Sequence, residues 1–403
     1  MSVYSIFGEF SFGLQKVFLT LSGDLHEHCS LRVSTPNIIH FSDGFASYAV
    51  SFPDLTFKPD TANVLSTATS NSESISFLAS YPFSKPPEDK RFGKICDRIV
   101  RSDMIRCKFC DAVFANSKKI NKVEFLRFVD SLAVSEISTY FCHGESQSSV
   151  VLPSPLSIIL SDLPDTSVLS NGVELIVGSD ALIDGSLIQS KELESVFCSR
   201  CRIMVGRLVG DEKDRVMVFY TNSLKIRRPD RDAEGNFLRV VDIPLVKHDF
   251  DFFDLLFHHL MKANRYRILL SAGTHDSALD YTLIWILCQR TCLYNTIVNT
   301  SKFSLTLSGD EPEASETVSA EKMHILKVAY RRLPRGQSNA EKDAKLVEWT
   351  RDFTVNHLRL PMETCISLMT CLEHVTRRLA PFMRSGTKAM EGFTLGGIPT
   401  KSE

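Results

Sequence analysis

The chain has 403 residues, 43% of them hydrophobic and 23% charged, with a formal net charge of −2. That length leaves room for two or three domains, and the composition is that of a folded, core-forming protein. The near-neutral balance gives no general attraction to nucleic acid or an anionic membrane, and the longest apolar run, Leu283 to Cys288, is too short to span a bilayer.

In chain order, residues 1–92 read as an N-terminal β-rich region. Lys16–Leu21, Ser47–Phe52 and Ser74–Leu78 are β-branched and aromatic runs bounded by turn residues. Residues 83–91 form a charged, proline-broken connector. Residues 93–210 are a cysteine-rich region. A strand at Met104–Arg106 leads into Cys107-Lys-Phe-Cys110, and Val196-Phe197 leads into Cys198-Ser-Arg-Cys201. Each Cys-x-x-Cys pair can aim two thiolates at one point, and four thiolates complete a tetrahedral zinc shell. The 87 residues numbered 111 to 197 lie between the pairs, whereas an ordinary zinc ribbon has about 15–20. Closing such a loop costs on the order of 4 kcal/mol. Structural zinc contributes roughly 10–16 kcal/mol, so a long-range zinc staple is physically reasonable. Four unrelated thiols, or one redox pair, are the alternatives.

Between the pairs the pattern predicts a helix around 123–133, then Phe141-Cys-His-Gly144. A proline-broken segment over 151–170 reads as loop or edge strand, and Glu174–Val177 as a strand.

Residues 211–403 read as a C-terminal α+β region. Val216–Tyr220, Arg265–Leu270, Tyr281–Leu287 and Met323–Tyr330 are strand candidates, while 226–239, 308–322 and 334–345 read as polar, charged loops. A helix is predicted from about Asp249 to Ala263, on the stripe Phe250, Phe253, Leu256, Phe257, Leu260 and Met261. A last helix starts at Pro361 on the stripe Cys365, Leu368, Leu372, Val375 and Leu379. Gly386, Gly392, Gly396 and Gly397 then suggest an irregular tail. The fold class expected is α+β and β-rich, with antiparallel sheets, a few helices and one four-cysteine zinc site made by a pair of knuckles. Eleven cysteines, an odd number, and no signal-like start in Met1-Ser-Val-Tyr-Ser5 point to a reducing compartment, cytoplasm or nucleus.

These landmarks together resemble the HECT-like ubiquitin ligases first described as binding a cell-cycle ubiquitin-conjugating enzyme. The matching residues are Cys107-Lys-Phe-Cys110, Phe141-Cys-His-Gly144, Phe197-Cys-Ser-Arg-Cys201, Ala263-Asn-Arg-Tyr-Arg-Ile268, Leu283-Ile-Trp-Ile286, Leu326–Tyr330 and Met390–Gly397. Glycine usually follows each knuckle in the family. This chain has Asp111 and Arg202 there, which weakens a strict knuckle turn. The resemblance implies ubiquitin accepted from a charged conjugating enzyme and passed on through a cysteine thioester. It also implies a second role, stabilising a client protein. That client is the endonuclease subunit of the mRNA 3′-end cleavage machinery, and a cyclin is a further expected protein partner.

A thioester ligase needs an accessible thiolate outside any metal shell. Cys142 is the first candidate because it matches the family's Phe-Cys-His-Gly motif. The adjacent His143 is its base only if Gly144 turns the chain. Cys365 is second, in Leu360-Pro-Met-Glu-Thr-Cys365, a faint echo of the run around the nucleophile of true HECT ligases. Its place on an apolar helix stripe favours a core position. Cys288 and Cys292 read as packing residues, and Cys371 has no motif. His258 and His259 lack a metallohydrolase companion and read as a solvated helix face. The run Arg227-Arg-Pro-Asp-Arg231 could meet an acidic partner but is more often a solvated loop. Two functions stay open: a zinc-stapled ligase, and a non-catalytic adaptor or chaperone in which Cys142 is structural. Direct nucleic-acid binding is disfavoured by the lack of a basic stripe.

Overall fold

Alternating apolar and polar residues over most of the chain build strands, because each such run can bury one face of a sheet. The computed structural model describes residues 3–12, 14–22, 30–35, 37–42, 47–65, 72–80, 99, 104–116, 120, 122–125, 167–178, 181–209, 216–231, 237–262, 264–273, 280–299, 317–333, 343–352, 354–379, 383–384 and 390–400. The fold is β-rich, as expected. The described helices of eight residues or more are α1 (Asp249–Lys262), α2 (Ala344–Arg351) and α3 (Met362–Arg378). None of these is long and apolar enough to cross a membrane.

The chain divides into two compact units, each assembled from separate stretches. One comprises residues 1–85, 286–329 and 371–403, and the other 86–285 and 330–370. Strands Tyr281–Asn299 and Glu321–Leu333 and helix α3 each begin in one unit and end in the other.

In the first unit, strand Val3–Ser11 lies antiparallel between Lys16–Ser22 and the second half of Tyr281–Asn299, with Phe10 opposite both Val17 and Cys292. Ser72–Ser80 and Thr56–Leu65 continue the sheet beyond Lys16–Ser22. A smaller sheet joins Ser30–Thr35, Ile38–Ser42 and Ser47–Ser51, and Thr317–Ser319 adds to it in parallel. Phe10, Leu19, Val50, Phe52 and Tyr294 are buried in one core cluster of this unit. The stretch expected to be a polar loop over 308–322 therefore contains a strand. Strand Thr394–Pro399 pairs with Glu321–Leu333, where an irregular tail was expected. The reason lies at Gly397. A Cβ there would sit 2.7 Å from Ile325 Cδ1 and 3.0 Å from Leu326 O, so the glycine lets two backbones close rather than breaking the strand.

The second unit holds a seven-stranded sheet in the order Lys122–Phe125, Ser167–Ser170, Glu174–Val177, Val216–Tyr220, Met204–Val209, Ser195–Cys198, Leu187–Ser190. Its first pair is parallel and the others antiparallel. Val123 thus opens no helix as far as Phe125, because Val123 and Phe125 are taken up by pairing with Val168 and Ser170. A four-stranded sheet runs Phe237–Pro244, Leu224–Arg231, Met104–Cys107, Val113–Asn116. Its first two strands replace the charged loop expected over 226–239. One pair of charges is joined across the hairpin, Arg227 gripping Asp242 through Nε at 2.9 Å and Nη2 at 3.1 Å. In a third sheet segment Val355–Pro361 runs parallel to Arg267–Gly273.

Helix α1 is legible in its stripe. Phe253, Leu256, Phe257, Leu260 and Met261 are buried as expected, joined by Phe252 and Leu255, while Phe250 is half-buried. Helix α2 falls at the end of the stretch expected to be a loop. Its N-cap is Asp343, whose carboxylate accepts from Lys345 N at 2.9 Å and Leu346 N at 3.1 Å.

Candidate metal centre

Each cysteine pair sits in the turn of an antiparallel hairpin. Met104–Cys107 pairs with Val113–Asn116 around the first, and Ser195–Cys198 with Met204–Val209 around the second. The backbone of the two turns is the same. Cys107 N donates to Ala112 O at 2.8 Å and Asp111 N to Cys107 O at 3.2 Å. Likewise Cys198 N donates to Ile203 O at 2.9 Å and Arg202 N to Cys198 O at 3.0 Å. The residue after each second cysteine takes a left-handed conformation, Asp111 at φ 67° and Arg202 at φ 62°. Glycine would adopt it freely, and a side chain there costs about 1–2 kcal/mol. The missing glycines therefore do not abolish the turns.

The two turns meet. The four Sγ atoms of Cys107, Cys110, Cys198 and Cys201 lie within 4.8 Å of one another. Cys107 and Cys201 are 3.8 Å apart, and Cys110 and Cys198 3.5 Å. No disulfide links them, and an S–S bond would need about 2.05 Å. A metal ion bound at about 2.3 Å by four sulfurs in a tetrahedron sets sulfur–sulfur edges of about 3.8 Å. The cluster fits that shell, and the four cysteines could hold one metal ion.

Burial and backbone donors act against each other on these sulfurs. Cys107 and Cys198 are buried, while Cys110 and Cys201 are half-buried. Burial pushes the Cys107 thiol far up and Cys201 up to about 11. Amide N–H groups of Phe109 and Cys110 point at Cys107, and that of Ile203 at Cys201, so each works against the burial. At Cys110 burial also raises the thiol, but the Ala112 amide and the neighbouring thiols outweigh it and the net direction is down. Sulfurs already provided with backbone donors are set up to be thiolates once a positive ion joins them.

The supports of the site were not readable from spacing. Lys108 N donates to Ser223 O at 3.0 Å. Its Nζ reaches Asp249 Oδ1 at 3.2 Å, and Ser367 on α3 donates to Asp249 Oδ2 at 2.7 Å. Asp111 pairs with Lys225 and lies 3.7 Å from Arg106. Arg200 crosses from the second knuckle to Cys110 O at 3.0 Å. Of these, only the acidic start of α1 at Asp249 carried a signal in the sequence, as a helix N-terminus.

The other candidate residues stand elsewhere. Cys142 and His143 lie outside the described residues, as does the whole of 126–166. Cys365 is buried on α3, with Leu360 O at 3.8 Å and Ser271 O at 4.0 Å as acceptors, and burial pushes its thiol up to about 12. Cys292 is buried and Cys371 half-buried. His259 is not simply solvated: its Nε2 hydrogen-bonds Asn171 O at 3.0 Å.

A family model described as HECT-like ubiquitin-conjugating enzyme (E2)-binding matches residues 55–389. The chain belongs to that family. Both knuckles and α1 to α3 fall inside the match. Among curated proteins, the chain is similar to an E3 ubiquitin-protein ligase of Bos taurus, 24% identical over 204 residues, which are 49% of this chain and 46% of the relative. It is equally similar to the E3 ubiquitin-protein ligase of the same name in Homo sapiens, 24% identical over 203 residues, again 49% and 46%. The matched region thus spans about half the length of these relatives. No solved structure matches the chain.

Proposed function

We propose that this chain binds a ubiquitin-conjugating enzyme and acts in ubiquitin transfer as a HECT-like ligase, with a structural zinc ion held by Cys107, Cys110, Cys198 and Cys201. The observation that carries the reading is the family match, whose description names binding of a ubiquitin-conjugating enzyme. The ligase names of the cattle and human relatives support the transfer step. Zinc is the metal that four thiolates at these separations suit best, and a closed four-sulfur shell leaves no position for substrate. The ion ties two hairpins together and takes no part in the chemistry. Four reduced thiols fit the cytoplasm or nucleus.

Transfer then needs a thiolate outside the centre. It would attack the thioester carbonyl that joins ubiquitin's C-terminus to the conjugating enzyme. A new thioester forms, the enzyme's thiolate leaves, and ubiquitin passes to an amine of a substrate or of this chain. Cys142 is the first candidate for that sulfur. Cys365 is the second, because its motif is only a faint echo and its burial on α3 keeps it a thiol.

A second reading is a non-catalytic adaptor that stabilises a client such as the endonuclease subunit of the mRNA 3′-end cleavage complex. It is favoured by the burial of Cys292 and Cys365, whose thiols are both shifted up. The two readings part on a non-reducing gel of purified chain mixed with ubiquitin-charged conjugating enzyme, run for wild type, Cys142→Ser and Cys365→Ser. A thiol-sensitive ubiquitin adduct lost in one variant supports the ligase and names its nucleophile. Binding of the conjugating enzyme with no adduct in any sample supports the adaptor.

A further inference from the structure

We infer that the two halves of the metal centre are unequal and that the Cys198–Cys201 half releases the ion first. The inference rests on the zinc reading above and concerns the residues that shape the two turns. Both knuckles demand a left-handed residue directly after the second cysteine, and neither has glycine. Aspartate is among the few other residues enriched in that conformation, because its short side chain bonds locally. Arginine has no such advantage. The two side chains also differ in what holds them. Asp111 is fixed by Lys225 and lies 3.7 Å from Arg106. The Arg202 side chain is exposed and has no ion-pair or hydrogen-bond partner among the described residues.

The residues between the cysteines repeat the asymmetry. Lys108 in the first turn is anchored at both ends, by its amide on Ser223 O and its ammonium on Asp249. In the second turn Ser199 N is held by Ser186 O at 3.0 Å. The reach of Arg200 to Cys110 O is a bond between the halves, so it is lost when they part. Opening the first turn breaks ion pairs. Opening the second lets Arg202 relax to an ordinary negative φ. The ion is then left on Cys107 and Cys110 while Cys198 and Cys201 become free thiolates.

The test uses the full chain loaded with zinc. A limiting chelator and iodoacetamide are added together. Each thiolate freed displaces iodide and forms a sulfur–carbon bond, and the labelled cysteines are identified by peptide mass spectrometry beside zinc content. Cys198 and Cys201 are expected to be labelled several-fold ahead of Cys107 and Cys110. Arg202→Gly is expected to raise zinc affinity in chelator competition roughly tenfold, the factor for relieving one left-handed side chain, and to erase that lead. Arg202→Lys, which keeps charge and strain, should behave as the parent, and Asp111→Gly should give no gain. Labelling of all four cysteines together, labelling of Cys107 and Cys110 first, or an unchanged affinity in Arg202→Gly would overturn the inference while leaving zinc binding intact. A chain that takes up no zinc would overturn the zinc reading and this inference with it.

Discussion

Glu174 is wholly buried and would be intolerable without a partner. Arg207 supplies one, with Nη2 at 2.8 Å and Nε at 3.1 Å from the same carboxylate oxygen. Burial works against the guanidinium charge, but the Glu174 carboxylate outweighs it and holds Arg207 above its ordinary pKa. Arg207→Met should therefore destabilise the fold by about 3–5 kcal/mol, because a buried carboxylate loses its charged partner and keeps only neutral donors such as Asn171 Nδ2, 3.4 Å from its other oxygen. The double variant Glu174→Leu/Arg207→Met should recover most of that loss in urea unfolding. A double variant as unstable as the single one would contradict this pairing. The thiols make a pH prediction at the same scale. Burial pushes Cys365 up to about 12 and Cys292 up to about 11 from an ordinary 9.0. The folded state holds these protons more tightly than the unfolded chain. Their stabilisation is complete below about pH 9 and is lost as pH rises toward about 12. The stability gap between the parent and Cys365→Ala, followed by denaturation across that window, should narrow with rising pH. A constant gap would show that the sulfur is open to water.

Elements were readable where one periodicity dominated and unreadable where pairing partners decided. Helix α1 announces itself through apolar residues at helical spacing, and α3 through its stripe between Pro361 and Pro381. The hairpin of Leu224–Arg231 with Phe237–Pro244 hid behind its charges, because Arg227 and Asp242 satisfy each other only after the strands pair. Strand Lys122–Phe125 is short enough to fit a helical pattern, and only its parallel neighbour Ser167–Ser170 settles it. The glycines expected to mark an irregular tail misled for a different reason, because Gly397 lets two strands close, and a second glycine does the same. At Gly206, in strand Met204–Val209, a Cβ would meet Val218 O at 2.2 Å, a backbone atom that cannot yield without parting the strands. Gly206→Ala should cost about 3 kcal/mol by overpacking and raise amide exchange along Met204–Val209 and Val216–Tyr220. Exchange unchanged in both strands would mean that the sheet has slack at this crossing.

At the scale of the whole chain, the family was readable from short motifs held in order, and the family match over residues 55–389 bears that reading out. The cysteine pairs were readable as knuckles, but nothing in the sequence could show that they meet. That is decided by the path of the chain between Cys110 and Cys198, which are 88 positions apart in sequence and 3.5 Å apart in space. The division into two units made of separate stretches was equally hidden, because the strands read at Tyr281–Leu287 and Met323–Tyr330 and the last helix carry no mark of the boundary that falls within Tyr281–Asn299, Glu321–Leu333 and α3. Cys142 stays a candidate on its motif alone. The staple is the claim on which the rest depends, and metal analysis of the purified full chain tests it most directly. One zinc per chain is expected in wild type. Cys107→Ser should lose that zinc, with a clear fall in thermal midpoint, while Cys371→Ser keeps both. Wild-type protein that is fully folded and free of zinc, or a Cys107→Ser variant that retains it, would contradict the staple.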